Sequence, residues 1–459
     1  MLFNSSQFLI DTLRQRRQKL SYFIDFPAIL WSGCASSRNF PANIYPFRAS
    51  SHFLYFAGFP LENAAIRLYE GCLELFMDDA PEESAIWQVE IPQRNQIAEL
   101  MGADFSYPLA ELYNHLEDAA TIVVQNPITA NEQRQLLNCP LRSAKEPKGI
   151  DLELTQAIIT LRLTHDNMAL QELRQAAEVS VKAHKMGMKA TKKAKSEAVI
   201  RGAMEGVIIS HNMTCSYNSI VTVHGEVLHN QQYHHPLQPG DLLLADVGAE
   251  TATGWAADIT RTWPVSGRFS PTQRDIYQLV LKAHDNCINY IKPGIEYQEI
   301  HRMAATIIAE GLVELGILKG SPEDLVEQDA HALFFPHGIG HLLGLDVHDM
   351  EDLGDLAGYE PGRVRSQRFG WCFLRLNRPL KPRMLVTIEP GFYQIPAILN
   401  DPKNREQYQT IVNWERLEQF ADVRGIRIED DVLVTETGTE VLTQSLPTSI
   451  QDIEALVQN

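Results

Sequence analysis

A chain of 459 residues exceeds what one hydrophobic core usually organises, so two domains, each with its own core, are expected. Hydrophobic residues at 44% and charged residues at 21% exclude a largely disordered chain. A formal charge of -18 excludes a surface built to track phosphates, because nucleic-acid binding needs clustered Lys and Arg to displace counterions.

The opening MLFNSSQFLIDTLRQRRQKL lacks the long apolar core of a secretory signal, and no later stretch supplies about 18 uninterrupted apolar residues for a membrane span. No membrane partner is expected. Arg14, Arg16, Arg17 and Lys19 admit a transit-peptide reading, but Asp11 and the Leu/Ile spacing favour an ordinary surface helix. The cysteines Cys34, Cys72, Cys139, Cys215, Cys287 and Cys372 form no CxxC or short repeat, so neither a zinc cage nor a disulfide scaffold is suggested, and a reducing cytoplasm fits.

Up to Leu141, short strands (Ala65 to Leu68, Leu73 to Met77) alternate with helices such as Gln93 to Met101, joined by Pro- and Gly-containing turns. This predicts a small α/β domain over residues 1–150, closed by the charged, Pro/Gly-containing connection Arg142 to Ile150. From Leu154 to Gly206 apolar positions recur every three or four residues, which predicts two successive helices. Further helices are predicted over Thr272 to Tyr290, introduced by Ser270 and Pro271, and over Tyr297 to Leu315, ended by Gly316. Four apolar runs read as strands: Asp241 to Val247, Ala256 to Thr262, Met384 to Glu389 and Gly425 to Val434.

Those strands carry acids. Asp246 and Asp258 stand near the ends of two runs joined by the polar segment Ala249 to Gly254, which suits a hairpin. Two buried carboxylates need a compensating cation, although the pair alone fits equally a hairpin with two solvated edge acids. His337, His341 and His348 share one Gly-rich segment, and three imidazoles at such spacings beside glycines point to a site. Glu389 precedes Pro390 and Gly391, which turn the chain directly after the carboxylate, and Glu429 lies in Gly425 to Asp431. Arg427, two residues before Glu429, shares its strand face and can fix a carboxylate of the protein or of a substrate, or form a structural salt bridge.

The ordered set DVG, DITRT, HGIGHLLGLDVHD, TIEPGFY and GIRIEDDVLVTETG resembles the proline-specific branch of the pita-bread metallopeptidases, comprising aminopeptidase P and prolidase. In the first half, Tyr45 to Arg48, Phe53 to Gly58 and Trp87 resemble the aminopeptidase P amino-terminal domain. The resemblance implies an α+β chain, with a pita-bread (creatinase/aminopeptidase-like) catalytic domain over 151–459 behind the smaller α/β domain. It implies two divalent metal ions, with Asp246 on the first, Asp258 and Glu429 bridging, and His341 and Glu389 on the second. Hard, oxygen-rich ligation with one imidazole suits Mn(II), with Co(II) or Zn(II) as substitutes. Glu389 would also move the proton of a shared water, which two cations about 3.5–4 Å apart would acidify and orient. His229 and His348 resemble the two non-ligand histidines that bind substrate and stabilise the tetrahedral intermediate, and His337 a supporting residue behind them. Arg375 resembles the arginine that receives a dipeptide's carboxylate in prolidase; an ordinary surface arginine is the alternative.

Two departures stand out. Asp246 and Asp258 are twelve positions apart, one more than is usual in the family, with the additional residue at Thr251 to Thr253. The loop Tyr217 to His229 has Thr222-Val-His-Gly-Glu226 in place of the usual Gly-Ser-Gly-Glu-Asn, and Asn230 replaces the usual aromatic residue. The implied activity is metal-dependent hydrolysis of the Xaa-Pro bond in peptides with proline second, releasing the first residue; splitting of Xaa-Pro dipeptides is the alternative. Proline's tertiary amide and fixed φ explain the need for a dedicated enzyme. A non-catalytic binding module and a creatinase-like amidinohydrolase are disfavoured by the intact ligand set, and methionine aminopeptidase by the large amino-terminal domain. The family also implies a homo-oligomer, dimer or tetramer, working in cytoplasmic peptide turnover.

Overall fold

The computed structural model describes residues 6–81, 86, 92–137 and 141–459; Trp87 and Cys139 lie outside the described residues. The chain divides into two compact units. The first comprises Met1–Leu163 with the short segments Ala252–Gly254 and Met350–Ala357, and the second comprises the remainder.

The first unit is built on a five-stranded sheet in the order Phe105–Tyr107, Cys72–Phe76, Ala65–Tyr69, Ala28–Trp31, Ala120–Thr121, whose two outer pairings are parallel and inner two antiparallel. Strand Ala28–Trp31 is buried throughout, as a central strand covered on both faces should be. The helix Gln7–Leu20 is not the simple surface helix expected from its charges. Arg16 and Arg17 are each only 2% exposed. Arg16 donates to the Tyr55 carbonyl at 2.7 Å while stacking on the Tyr55 ring, and Arg17 caps the carbonyls of Met101 and Gly102 at 3.3 and 2.8 Å. Two members of the basic cluster are therefore structural, their donors terminating backbone carbonyls at the end of helix Arg94–Met101 and elsewhere.

Three helices, not two, occupy 150–210: Ile150–Arg162, Asn167–Thr191 and Glu197–Ser210. The break between the first two is made by Asp166, whose side chain accepts from the Ala169 N–H and starts a new helix. Helix Pro271–Tyr290 opens with Pro271 in its first turn and a reciprocal capping box between Ser270 and Gln273. Tyr297–Glu314 ends at Leu315, followed by Gly316 at φ +74°. In the second unit these helices pack in pairs, Asn167–Thr191 on Glu197–Ser210 and Pro271–Tyr290 on Tyr297–Glu314.

The strands they flank form small separate sheets. Leu242–Asp246 pairs with Thr260–Pro264 on one side and Ile220–Thr222 on the other, with Asp246 opposite both Thr260 and Ile220. Asp258 thus precedes its strand instead of lying within it, and the connection carries a further short strand, Ala249–Glu250, paired with Thr214–Cys215. The run Gly425 to Val434 is two strands: Gly425–Arg427 pairs with Gly391–Tyr393, and Asp430–Val434 pairs with Leu385–Ile388 and Thr439–Val441. At the break, the Glu429 N–H leaves the ladder and donates to the Thr260 carbonyl at 3.0 Å. Arg427 ends the first strand and Glu429 lies in the break, yet both side chains reach the Thr260 hydroxyl, so they face the same side as expected. The break aims Glu429 at the Asp258 segment. Among the described residues no helix is long and apolar enough to cross a membrane.

Candidate metal centre

Five acidic or imidazole side chains from these sheets line one cavity of about 470 Å³ in the second unit: Asp246, Asp258, His341, Glu389 and Glu429. Asp258, His341 and Glu429 are buried, and each offers a ligand atom within 4.8 Å of the others. His341 Nε2 lies 3.4 Å from an Asp258 oxygen and 3.8 Å from a Glu389 oxygen.

Each side chain is held by an identifiable local cause. The segment 339–343 runs beside strand Leu385–Ile388, exchanging N–H to carbonyl bonds between Thr387 and His341 and between Glu389 and Ile339 at 3.0 and 2.9 Å. That approach requires Gly340: a Cβ there would fall 2.2 Å from the Thr387 carbonyl oxygen. His341 Nδ1 lies 3.0 Å from the Leu342 carbonyl, which can only accept, so Nδ1 carries the proton and Nε2 turns its lone pair toward the acids. Thr260 donates to Glu429 at 2.7 Å. Asp431 accepts from the Asp258 backbone N–H at 3.2 Å, fixing the segment that carries this candidate ligand from behind.

Arg427 bonds Asp246 at 2.6 Å, Tyr393 at 3.0 Å and Thr260 at 3.0 Å, so of the options left open by its sequence position it takes the protein carboxylate. His337 reaches the Tyr393 hydroxyl at 2.8 Å and lies 3.7 Å from Glu389. The His348 ring sits 4.2 Å from that of His341, and His229 and Arg375 line the same cavity. Its apolar wall includes Leu228, Pro336, Phe369, Phe373, Ile395 and Ile398.

Sequence reasoning missed Tyr217, whose hydroxyl bridges Asp246 and Asp258, the latter at 2.6 Å. It also missed Thr260, Tyr393 and Asp431 as supports. Thr260 and Tyr393 stand inside the quoted motifs; Tyr217 lies in a Ser/Asn-rich loop where no periodicity marks it.

The electrostatics test the fit to cations. Burial, reinforced by Asp246, pushes Asp258 up to about 7. Burial likewise brings Glu389 to about 7 against the pull of His341 and Arg427, and drives Glu429 well above the carboxylate range with help from Asp258 and Glu389. The Tyr217 hydroxyl is raised by burial and by the same acids. Four carboxyl groups thus meet in one cavity, where the Arg427 guanidinium bonds Asp246. Hard oxygen donors with one correctly oriented imidazole are the chemistry a divalent cation takes, and cations would relieve the repulsion that raises these groups.

The sequence matches metallopeptidase family M24 over residues 171–436 and the aminopeptidase P N-terminal domain over residues 13–124. It is 31% identical to the Xaa-Pro aminopeptidase of Escherichia coli over 437 residues, covering 90% of this chain and 89% of that protein. A probable Xaa-Pro aminopeptidase of Leptosphaeria maculans is 32% identical over 90% of this chain and 72% of its own length. Among solved structures, aminopeptidase P from E. coli with the inhibitor Pro-Leu aligns at TM-score 0.79 and 28% identity over 99% of both chains. The Zn-substituted E. coli enzyme in complex with product aligns at 0.80 and 28% identity over the same share of each chain. Proline aminopeptidase P II from Yersinia pestis aligns at 0.79 and 29% identity over 98% of this chain and 99% of that one.

Proposed function

Since the chain belongs to metallopeptidase family M24, we propose that its second unit performs metal-dependent hydrolysis of Xaa-Pro bonds, releasing the amino-terminal residue of peptides with proline second. The observation that carries this reading is the convergence of Asp258, His341 and Glu429 in a cavity whose remaining wall is largely apolar.

We assign Asp246, Asp258, Glu429, His341 and Glu389 as the side chains that would hold two divalent ions. Two such ions, Mn(II) being favoured by the oxygen-rich donor set, would supply Lewis acidity and make hydroxide available near neutrality. The protein's own residues do the rest. Arg427 and Tyr217 hold Asp246 in place. His229 and His348 bind the peptide and stabilise the tetrahedral intermediate, with His337 holding the Tyr393 hydroxyl behind them. The prolyl nitrogen must leave as a secondary amine, so it needs a proton, and the Glu389 carboxyl group in the cavity moves one to it from the attacking water. Phe369, Phe373, Ile395 and Ile398 offer the pyrrolidine ring an apolar wall and exclude bulk water. Five described cysteines are free thiols, which agrees with a cytoplasmic setting.

Arg375 in the cavity favours dipeptides as additional substrates, because a guanidinium pairs with a free carboxylate. Hydrolysis of Arg-Pro-Pro beside Gly-Pro, with Mn(II) and with Asp258→Ala as control, tests both readings. Metal-dependent release of arginine is expected; failure of both substrates at any metal loading would sink the assignment. Loss of Gly-Pro cleavage alone in Arg375→Ala would support the dipeptide role, and an equal loss on both substrates would overturn it.

A further inference from the structure

One buried carboxyl group outside the ligand set gathers four donors. Glu197, the first residue of helix Glu197–Ser210, is 0% exposed. It accepts from the Val223 N–H at 2.8 Å, the Thr222 hydroxyl at 3.0 Å, the His235 N–H at 3.2 Å and His235 Nδ1 at 2.9 Å. These bonds fasten both ends of the segment 222–235. Within it, Asn230 donates to the Thr222 hydroxyl oxygen at 2.8 Å and its own carbonyl accepts from the Gln232 N–H at 2.9 Å. A third anchor lies nearer the middle, where Gly225 meets Gly425 backbone to backbone: a Cβ on Gly425 would stand 2.2 Å from the Gly225 carbonyl oxygen. Gly425 opens the short strand that carries Arg427.

Leu228 and His229 are the residues of this segment that line the cavity. Thr222 and Asn230, which set this loop apart from the family pattern, are among the side chains that tie it to Glu197 or to itself. A buried carboxyl group is costly unless its acceptor positions are filled, and here they are filled almost wholly by the loop.

We propose that Glu197 is a positioning residue that fixes where His229 stands in the cavity, acting through the loop 222–235. The inference rests on the reading in which His229 touches the substrate. Small displacements of a group facing the reacting bond are expensive, so a loop fixed at both ends and near its middle matters for rate.

The test is a double-mutant cycle of Glu197→Gln with His229→Ala, because the amide keeps the shape but turns hydrogens toward groups that are themselves donors. In the otherwise unaltered enzyme, Glu197→Gln should lower kcat/KM on Arg-Pro-Pro about tenfold, and in the His229→Ala background by less than about twofold. Bound metal per chain should not change. Equal losses in the two backgrounds, or a parallel loss of metal, would overturn the proposal. If Glu197→Gln does not fold, Asn230→Ala and His235→Phe enter the same cycle and are judged by the same outcomes. Histidine side-chain NMR gives a readout independent of turnover: the His229 signal should move or broaden in Glu197→Gln while that of His341 stays. An unmoved His229 signal would overturn the positioning role even if the enzyme is active. An enzyme inactive on all Xaa-Pro peptides would instead overturn the functional reading and leave the NMR result to decide Glu197.

Discussion

Glu429 and Asp430 are neighbours in the chain, each 2% exposed, and their electrostatics run in opposite directions. Glu429 faces Asp258 and Glu389, and burial with those like charges drives it well above the carboxylate range. Asp430 points the other way, receives two bonds from Arg261 at 2.8 and 3.0 Å, and has His284 Nε2 3.0 Å away. Its carboxyl is held below the ordinary value because Arg261 and His284 outweigh the cost of burial. Burial is common to both residues; the partners differ. A buried acid therefore marks a cation site only where the protein itself supplies more negative than positive charge, as on the Glu429 side.

The comparison can be broken most forcefully at Glu429. Glu429→Gln should lower hydrolysis on the order of 10³-fold and abolish tight metal uptake, measured by steady-state kinetics and titration calorimetry. A variant that keeps both would remove the distinction between the two faces. On the Asp430 side, Arg261→Leu leaves a buried acid without its guanidinium and should cost about 3–5 kcal/mol of stability by denaturant unfolding. A change below about 1 kcal/mol would show that His284 and the Thr443 hydroxyl, which also donates to Asp430, suffice to hold it. Tyr217→Phe sharpens the contrast more gently, since it removes the hydroxyl between Asp246 and Asp258 while keeping the ring. Metal affinity should fall about 10- to 100-fold with little change in melting temperature.

The smallest effect is one of slope with pH. In the metal-free protein, Asp258 and Glu389 rise from 3.8 and 4.5 to about 7, so the folded state binds more protons than the unfolded between those values. Their contribution is present below about pH 4 and is lost as pH rises through about 7. Asp430 acts oppositely: its contribution is present above the ordinary carboxylate value of 3.8 and is lost as pH falls toward its depressed folded value. Melting curves of chelated protein should thus decline by a few degrees from pH 5 to pH 7.5, and Mn(II) should raise the midpoint more at pH 7.5 than at pH 5. A metal effect of equal size at both values would count against cations relieving the Glu429 face.

Much of the fold was legible because periodicity records burial. The helices Pro271–Tyr290 and Tyr297–Glu314 follow from spacing and from Ser270, Pro271 and Gly316 at their ends. The extra helix boundary at Asp166 was harder to see, since one capping side chain interrupts an otherwise continuous apolar pattern. Arg16 and Arg17 read as solvated because sequence shows charge but not the carbonyls that await a donor.

The candidate ligands were legible as residue types: acids closing apolar runs and histidines among glycines are chemically expensive choices that the sequence displays directly. What the sequence could not supply is which side chains stand behind them. Tyr217 touches acids 29 and 41 positions away, and Thr260 meets Glu429 across 169. The break that aims Glu429 lies inside a run that reads as one strand. By itself the sequence displayed the candidate ligands and their order, because charge and hydrophobicity are local properties. Only the tertiary structure decided which acids share a charge deficit and which are neutralised, because that depends on strand pairing between segments far apart in the chain.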